Sequence, residues 1–474
     1  MDFVRSSLID PISTILWNYV LVYVLIGAGI WFTVRTRFVQ VRLFPEMVRT
    51  IMGSRDGAEG GISSFQAFAV GLASRVGTGN IAGVAIALTL GGPGAVFWMW
   101  VVAAVGMATG FVEATLAQLY KVRWPDGSFR GGPAYYIQNG LGSRRWGAVF
   151  AVLLVFTFGV AFNMVQSNTI ADVLSSAHTV DQRWSALVLA ALTAPVVFGG
   201  VRRIAKVAEL VLPLFALLYV LLALVIVLTN ITALPTVFSD IIKGAFGLDP
   251  ALAGVAGGIT AAMLNGAKRG LFSNEAGMGS APNAAATATV SHPVKQGLIQ
   301  SLGVFVDTMI ICSATAFIIL VAGPDVYSPG ETTDSAGASL TQTAVAASLG
   351  DWTTWLMTVL IFVFAFSSVL GNYSYAEVNL DFLGARERGL TVFRVVVIIA
   401  VASGALVALE SVWALADVAM GLMALVNLTA ILLLGRWAFG ALADWQRLRG
   451  AGEPQVFVST GNAAMPGELP GDVW

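Results

Sequence analysis

The chain has 474 residues, of which 57% are hydrophobic and 11% are charged, and its mean hydropathy is +0.80. Soluble domains contain about a quarter charged residues, so this composition predicts an all-α polytopic membrane protein. The net charge of −1 and the absence of a basic tract give no indication of nucleic-acid binding. One cysteine and two histidines exclude a disulfide framework and argue against a metal centre or an enzyme.

Apolar windows of about 20 residues, long enough to cross a bilayer as helices, recur along the chain. They predict eleven transmembrane spans near residues 13–34, 62–90, 94–120, 147–172, 185–200, 207–229, 251–290, 296–322, 353–380, 391–408 and 413–435. We expect residues 1–450 to form one transmembrane domain. Residues 451–474, rich in Gly, Pro and polar groups, are predicted to be a disordered cytoplasmic tail.

Basic residues concentrate in alternate loops of this predicted topology. They follow the first, third, fifth, ninth and last spans, as Arg35, Arg37, Arg42, Arg49, Arg55, Lys121, Arg123, Arg130, Arg144, Arg145, Arg202, Arg203, Lys206, Arg386, Arg388, Arg394, Arg436, Arg447 and Arg449. Because cytoplasmic loops carry the excess of Lys and Arg, this pattern predicts an external N-terminus and a cytoplasmic C-terminus.

Glycines interrupt the second span, where the chain reads Ser-Arg-Val-Gly-Thr-Gly-Asn over residues 74–80. Lipid cannot hydrogen-bond an open backbone, so helix breaks at bilayer depth are tolerated only where they face protein or a water-filled cavity. Freed backbone groups beside Thr78 and Asn80 indicate a small-molecule and ion site near the membrane midplane. The alternative is a glycine-lined surface for helix packing.

The seventh span is interrupted in the same way, over Gly270–Pro282. Two interrupted segments five spans apart are typical of inverted-repeat transporters, which predicts repeats over 62–229 and 251–435 with 13–34 as an additional helix. Alternatively, residues 270–282 form a cytoplasmic loop, with Lys268 and Arg269 marking the membrane exit.

Polar side chains in other spans extend the candidate site. Ser368 and Asn372 are four residues apart and share a helix face, and hydroxyls with backbone carbonyls suit a hard cation. The alternative is that each serine bonds only its own helix. Gln166 is a candidate for substrate contact or for bridging two helices. Ionisable residues within spans are functional candidates by default, or structural pairs: Arg75, Glu113, Asp307, Glu377 and Asp417.

Four longer motifs resemble the alanine/glycine:cation symporter family, the sodium:alanine symporters of prokaryotic plasma membranes. They are GTGNIAG at 77–83, GGPGAVFWMWVVAAVG at 91–106, GGPAYY at 131–136 and RGLFSNEAGMGSAP at 269–282. Similarity runs from about Phe3 to Arg449. The resemblance implies a leucine-transporter-like fold of five plus five inverted spans with one added helix. It also implies sodium-driven uptake of a small neutral amino acid such as alanine or glycine, without an organic cofactor.

The resemblance also implies roles for individual residues. The substrate carboxylate and amine would be held by Val76, Gly77, Thr78, Gly79 and Asn80, with further contacts from Gln166 and Asn274. Sodium would be coordinated by carbonyls of Ala73 and Val76 and by oxygens of Phe364, Ser367 and Ser368. The family usually carries Trp at the position of Asn372, so an amide there predicts a pocket for a larger or more polar amino acid.

Two other functions are compatible with these residues. One is proton-coupled transport with Asp307 or Glu113 as the proton carrier. The other is a membrane sensor that binds an amino acid without moving it. The expected partners are the amino-acid substrate and membrane lipid, and the sequence gives no indication of the oligomeric state.

Overall fold

Helices account for most of the chain in the computed structural model. It describes residues 5–54, 62–125, 127–199, 201–248, 258–330, 332, 337–471 and 473–474, with backbone only for 201–210. The helices are α1 (Arg5–Arg35), α2 (Val39–Arg42), α3 (Phe44–Met52), α4 (Ser64–Arg75), α5 (Gly79–Gly91), α6 (Gly94–Leu119), α7 (Pro133–Leu141), α8 (Arg144–His178), α9 (Gln182–Val197), α10 (Val201–Thr229), α11 (Leu234–Phe246), α12 (Gly258–Asn274), α13 (Ala281–Thr287), α14 (Pro293–Val321), α15 (Ala338–Leu349), α16 (Thr353–Leu383), α17 (Glu387–Gly404) and α18 (Leu409–Gly450). A two-stranded antiparallel hairpin, β1 (Val122–Arg123) and β2 (Phe129–Arg130), joins α6 to α7.

Seven helices in the described part of the chain are long and apolar enough to cross a membrane: α1, α6, α8, α10, α14, α16 and α18. They coincide with seven of the predicted spans. The predicted second and seventh spans each form two half-helices, α4 with α5 and α12 with α13. The predicted fifth and tenth spans correspond to the shorter α9 and α17. The structure does not describe residues 249–257, which include the start of the predicted seventh span. The eleven-span topology stays a prediction.

Local sequence explains where the first half-helix begins and ends. The Ser63 side chain accepts a hydrogen bond from Gln66 N and the Gln66 side chain accepts one from Ser63 N, each at 3.1 Å, which is a capping box. The helix ends at Arg75 because Val76 turns to an extended backbone (φ −75°, ψ 90°). The chain resumes as a π-helical turn over Gly79–Gly83, a geometry that is frequent at functional sites.

A glycine brings α16 into direct contact with the end of α4. A Cβ at Gly371 would lie 2.8 Å from the backbone nitrogen of Ser74 and 2.9 Å from its Cα. Real Cβ atoms do not approach backbone this closely, so only glycine fits. This contact sets α16 against the break in the second span.

The C-terminal segment, described over 451–471 and 473–474, contacts the helical body, unlike the predicted disordered tail. Phe457 is buried, and its backbone nitrogen donates to Ser291 O at 2.8 Å. The Trp474 indole donates to Gln118 O at 2.7 Å and lies edge-on to Phe457, with ring centroids 5.6 Å apart. Burial of Phe457 and its contact with the half-buried Trp474 favour this packing over the disorder that the Gly- and Pro-rich composition suggests.

His292, which precedes α14, lies beneath this segment. Its Nδ1 accepts from Val294 N at 3.2 Å and its Nε2 lies 3.4 Å from an Asp444 carboxylate oxygen. Burial lowers the pKa of His292 to about 4, against the attraction of Asp444. The ring is therefore neutral at pH 7, and Nδ1 remains free to cap the helix.

We expect Gly371→Ala to force α16 and α4 apart. Overpacking of this kind costs about 1–3 kcal/mol, so thermal stability in detergent should fall. The matched control is Gly27→Ala in α1, where a Cβ meets no described atom within 4 Å and alanine favours the helix. Equal thermal stability of the two variants would contradict the close approach.

Candidate functional site

The first break places backbone amides and polar side chains in a buried cluster. Gly77 N donates to Asn80 Oδ1 at 3.0 Å, and Thr78 N donates to Gln166 Oε1 at 3.3 Å. A Cβ at Gly77 would clash with Ser368 Oγ, so glycine is required for this approach. The Thr78 hydroxyl is buried and has no hydrogen-bond partner among the described residues. The structure therefore brings together Gln166 of α8 and the segment that the sequence identified.

Oxygen atoms converge beside this segment. Ser368 Oγ lies 3.0 Å from Ala73 O and 3.1 Å from Phe364 O, and Ser367 Oγ lies 2.9 Å from Phe364 O. All four residues are buried. Four of the five residues predicted to hold sodium are thus together, and Val76 follows α4 three positions after Ala73. Hydroxyl and carbonyl oxygens form the donor set that hard cations prefer.

Asn80 joins the first break to α12 and α14. Its amide nitrogen lies 2.7 Å from Asp307 Oδ1 and 2.9 Å from Ser273 Oγ. The second oxygen of Asp307 accepts from Ser273 Oγ at 2.6 Å and from Thr308 Oγ1 at 2.9 Å. Asp307 lies in a π-helical stretch of α14, Phe305–Cys312. Sequence reasoning did not single out Ser273, although it directly precedes Asn274 in the motif.

The second break is buried within the protein, and its placement relative to the membrane, as an interrupted span or as a cytoplasmic loop, stays a prediction. α12 continues to Asn274, and every residue from 269 to 286 is buried. Asn274 Oδ1 accepts from Ala276 N at 3.0 Å, whereas its Nδ2 is buried without a partner in the described part of the chain. Glu275 takes a left-handed backbone conformation (φ 59°) that turns the chain out of the helix.

Two other ionisable candidates have structural partners. Arg75 donates to the carbonyl of Gln300 at 3.5 Å, and no ion pair joins it to Asp307 among the described residues. Glu113 accepts from Gly277 N at 3.0 Å and from Asn427 Nδ2 at 2.5 Å. Asn427 also donates to Gly277 O at 3.0 Å. The side chains of Glu113 and Asn427 thus form hydrogen bonds with the backbone N–H and C=O of Gly277 in the second break.

Asn372 lies one helical turn beyond Ser368 and makes its hydrogen bonds away from the Gly77–Asn80 segment. Its Oδ1 accepts from Ser74 Oγ at 3.0 Å, and its Nδ2 donates to Asn163 Oδ1 at 3.0 Å. A tryptophan could not make both bonds. The predicted contact between Asn372 and substrate stays a prediction.

One end of the broken helices is closed by an ion pair and an aromatic cluster. An Arg269 nitrogen lies 2.7 and 2.6 Å from the two carboxylate oxygens of Asp417, and the guanidinium carbon lies 4.5 Å from the Trp413 ring centroid. Phe272 packs between Phe162 and Trp413, with centroids 4.3 and 4.6 Å apart. Arg269, predicted as a possible membrane exit, is instead a buried partner for Asp417. An unpaired acid in one span and an arginine beside another could have suggested this pair.

The other end of the broken helices borders a cavity of about 580 Å³. Its lining residues are mostly polar and come from the start of α4, from α3, from the linker before α14 and from the C-terminal segment; they include Ser54, Ser64, Ser291, Lys295 and Gln455. The two ends of the broken helices therefore differ. An ion pair and an aromatic cluster pack at one end, and the cavity that borders the other is lined by none of the predicted substrate or sodium residues.

We expect Ser368→Ala to weaken cation binding, because it removes the hydroxyl between Ala73 O and Phe364 O. Disturbing a ligand set typically lowers ion affinity by about tenfold or more. The measurement is the sodium concentration that gives half-maximal thermal stabilisation of the purified protein. Ser374→Ala on the same helix is the control, because its hydroxyl bonds Leu370 O of its own helix. Unchanged sodium dependence in Ser368→Ala would remove this hydroxyl from the site.

The fold is shared with a solved structure. The crystal structure of a mutant manganese transporter from Eremococcus coleocola superimposes with a TM-score of 0.57, covering 82% of this chain and 83% of that one, at 13% sequence identity. At this identity the likeness concerns the fold alone.

The chain belongs to the sodium:alanine symporter family, whose profile matches residues 1–459. It is 51% identical to "Amino-acid carrier protein AlsT" of Bacillus subtilis, over 100% of this chain and 98% of that protein. It is 47% identical to "Probable sodium/glutamine symporter GlnT" of the same organism, over 96% and 94%. It is 39% identical to "Sodium/alanine symporter AgcS" of Methanococcus maripaludis, over 92% and 95%. The predicted family is thereby confirmed, and it is a family of membrane transporters.

Proposed function

We propose that this protein imports a small neutral amino acid together with sodium by alternating access. The observation that carries the proposal is the buried first break, where open backbone and Thr78 adjoin the oxygen cluster of Ala73, Phe364, Ser367 and Ser368. A cation there would lie beside the carboxylate of a bound amino acid. Each would partly neutralise the other's charge in a low-dielectric site.

Unsatisfied polar atoms near the breaks support a zwitterionic substrate. The Thr78 hydroxyl and the Asn274 amide nitrogen are buried without partners among the residues that the structure describes, and buried polar groups in native proteins are normally hydrogen-bonded. The bond from Thr78 N to Gln166 is long at 3.3 Å and open to replacement by a ligand. These groups offer donors for a carboxylate and, at the Thr78 hydroxyl oxygen, one acceptor for an amine, as neutral amino acids require.

The accompanying architecture is eleven spans in a prokaryotic plasma membrane, with a leucine-transporter-like pair of repeats over 62–229 and 251–435 and α1 added outside them. The basic loops favour an external N-terminus. The Arg269–Asp417 closure then faces outside, and the polar cavity at Ser54 and Ser64 faces the cytoplasm. Inward movement of one sodium charge gains about 2.3 kcal/mol per 100 mV of membrane potential.

The direct test is uptake of labelled alanine and glutamine by proteoliposomes containing the purified protein. We expect accumulation when external sodium exceeds internal sodium, and its loss when choline replaces sodium. Adding an inside-negative potential should increase the rate, because net positive charge enters. Liposomes without protein provide the background.

Three results would contradict this proposal in different ways. Uptake unaffected by choline would remove sodium coupling. Uptake driven by a pH gradient alone would favour a proton carrier, for which Asp307, hydrogen-bonded directly to Asn80, and Glu113 are the candidates. Saturable binding without flux would favour a sensor.

The substrate's side chain is a further part of the proposal. The named relatives include an alanine and a glutamine symporter, and Asn372 gives this chain a buried amide pair with Asn163. We propose that the pocket accepts an amino acid larger or more polar than alanine. A carboxamide could exchange hydrogen bonds with these amides at little cost.

We expect Asn372→Trp to shift preference toward alanine and glycine, because the indole fills space and removes the amide. The measurement is competition by a panel of unlabelled amino acids against a transported one, with the ratio of inhibition constants as the result. Asn379→Gln, a buried amide farther along α16 that bonds Asn283, controls for general disturbance of the helix. An unchanged ranking in Asn372→Trp would show that Asn372 does not determine specificity.

A further inference from the structure

Glu275 connects the two broken helices to each other. Its Oε1 accepts from Ser74 Oγ, at the end of α4, at 2.7 Å. Its Oε2 accepts from Ser280 Oγ, directly before α13, also at 2.7 Å. The residue is 1% exposed. One buried side chain therefore joins two half-helices that are separated by about two hundred residues of sequence.

The same two half-helices also meet at their other ends. Ile62 forms an isolated parallel bridge with Ala288, in which Thr289 N donates to Ile62 O at 3.1 Å and Ile62 N to Thr287 O at 3.4 Å. α4 and α13 are thus fastened at both ends. Hydrogen bonds at both ends make movement of one half-helix without the other costly.

The other two half-helices, α5 and α12, are also joined by a hydrogen bond. Asn80, in the first turn of α5, bonds Ser273, in the last turn of α12, at 2.9 Å. The breaks therefore separate two pairs, α4 with α13 and α5 with α12. This pairing is compatible with the proposed alternating access, in which α4 with α13 would move relative to α5 with α12.

We propose that Glu275 is a positioning residue that transmits occupation of the cation site on α4 to α13. The proposal rests on the proposed sodium site and deepens it. Ser74 follows Ala73, whose carbonyl belongs to the oxygen cluster. A cation bound to Ala73 O would restrict the position of the adjacent Ser74. Because Glu275 accepts hydrogen bonds from both Ser74 and Ser280, it would also restrict the position of α13.

The backbone at Glu275 supports a specific role for this side chain. Its φ of 59° lies in the left-handed region, which is uncommon for a residue other than Gly, Asn or Asp. The neighbouring Gly277 and Gly279 also have positive φ. Two of the three positive-φ positions in this segment are therefore glycines. The third, directly after α12, is Glu275, whose side chain makes the two hydrogen bonds described above. Surrounding contacts must maintain such a conformation.

Two substitutions of Glu275 distinguish a role in positioning through hydrogen bonds from a requirement for its negative charge. The single hydroxyl hydrogen of Ser74 faces two acceptors, Glu275 Oε1 and Asn372 Oδ1. In Glu275→Gln the new amide can donate to Ser74 Oγ, while Ser74 donates to Asn372 and the remaining oxygen accepts from Ser280. Every bond is kept without the charge. Glu275→Ala removes both connections.

The test is hydrogen–deuterium exchange of the purified full-length protein in sodium and in choline, read by mass spectrometry. In the wild type we expect sodium to slow exchange in peptides covering α4 and in peptides covering 276–287. Glu275→Gln should keep both effects within about twofold. In Glu275→Ala, sodium should still slow exchange in α4. Its slowing of exchange in 276–287 should be at least about fivefold smaller than in the wild type, which is the lower end of typical coupling between two sites.

The matched control is Thr89→Ala in α5, a buried hydroxyl that bonds Ala85 O of its own helix. It should leave sodium protection of both segments unchanged. Misfolding of Glu275→Ala would abolish protection of α4 as well, so retained α4 protection serves as the internal folding standard. Ser74→Ala should reproduce the loss without adding to it in the double variant, because both remove the same connection.

The outcomes distinguish this proposal from the one on which it depends. Sodium protection of neither segment in the wild type would overturn the sodium site and the Glu275 role together. Protection of 276–287 that survives in Glu275→Ala would overturn only the role of Glu275. A Glu275→Gln variant that behaves like Glu275→Ala would overturn positioning through hydrogen bonds and assign the effect to the charge.

Discussion

Every feature of this site depends on one constraint, which is that lipid offers no hydrogen bonds to an open backbone. The two helix breaks expose amides and carbonyls, and each must find a protein partner or a ligand. Asn80, Gln166 and Ser368 supply partners at the first break, and Glu113 and Asn427 supply them at the second. The Thr78 hydroxyl and the Asn274 amide nitrogen, left without partners among the described residues, belong to the proposed substrate site.

The same constraint explains why the polar side chains occur on helices far apart in sequence. The open backbone at a break can form hydrogen bonds only with neighbouring helices. Accordingly, α8, α14, α16 and α18 each carry a polar residue at a buried position of an otherwise apolar helix. These residues serve two purposes, since they stabilise the opened backbone and also connect the half-helices. Binding and movement therefore share one set of hydrogen bonds.

Much of this could be predicted from the sequence, because glycine pairs and polar residues in apolar windows are local signals. Such signals indicated Gln166 and Ser368, whereas Ala73 was implied by the family resemblance, and the structure places all three beside the first break. The partners of Asn372 could not be predicted, because contact between Asn372, Ser74 and Asn163 depends on how α16 packs. Likewise, the sequence left open whether Arg269 marks a membrane exit, because its pairing with Asp417 depends on how α12 and α18 pack. The burial of Phe457 could not be predicted, because composition says little about which residues of the C-terminal segment pack on the helices.

The ion pair of Arg269 and Asp417 has a consequence for the solvent. Its charges lie 2.6 to 2.7 Å apart in a buried setting, and separating them without hydration would leave two desolvated ions. On the proposed topology, the outer side would therefore open only as water enters. Osmolytes that are excluded from protein surfaces should then favour the closed form, so the proposed transport cycle predicts sensitivity to osmotic stress at the outer face.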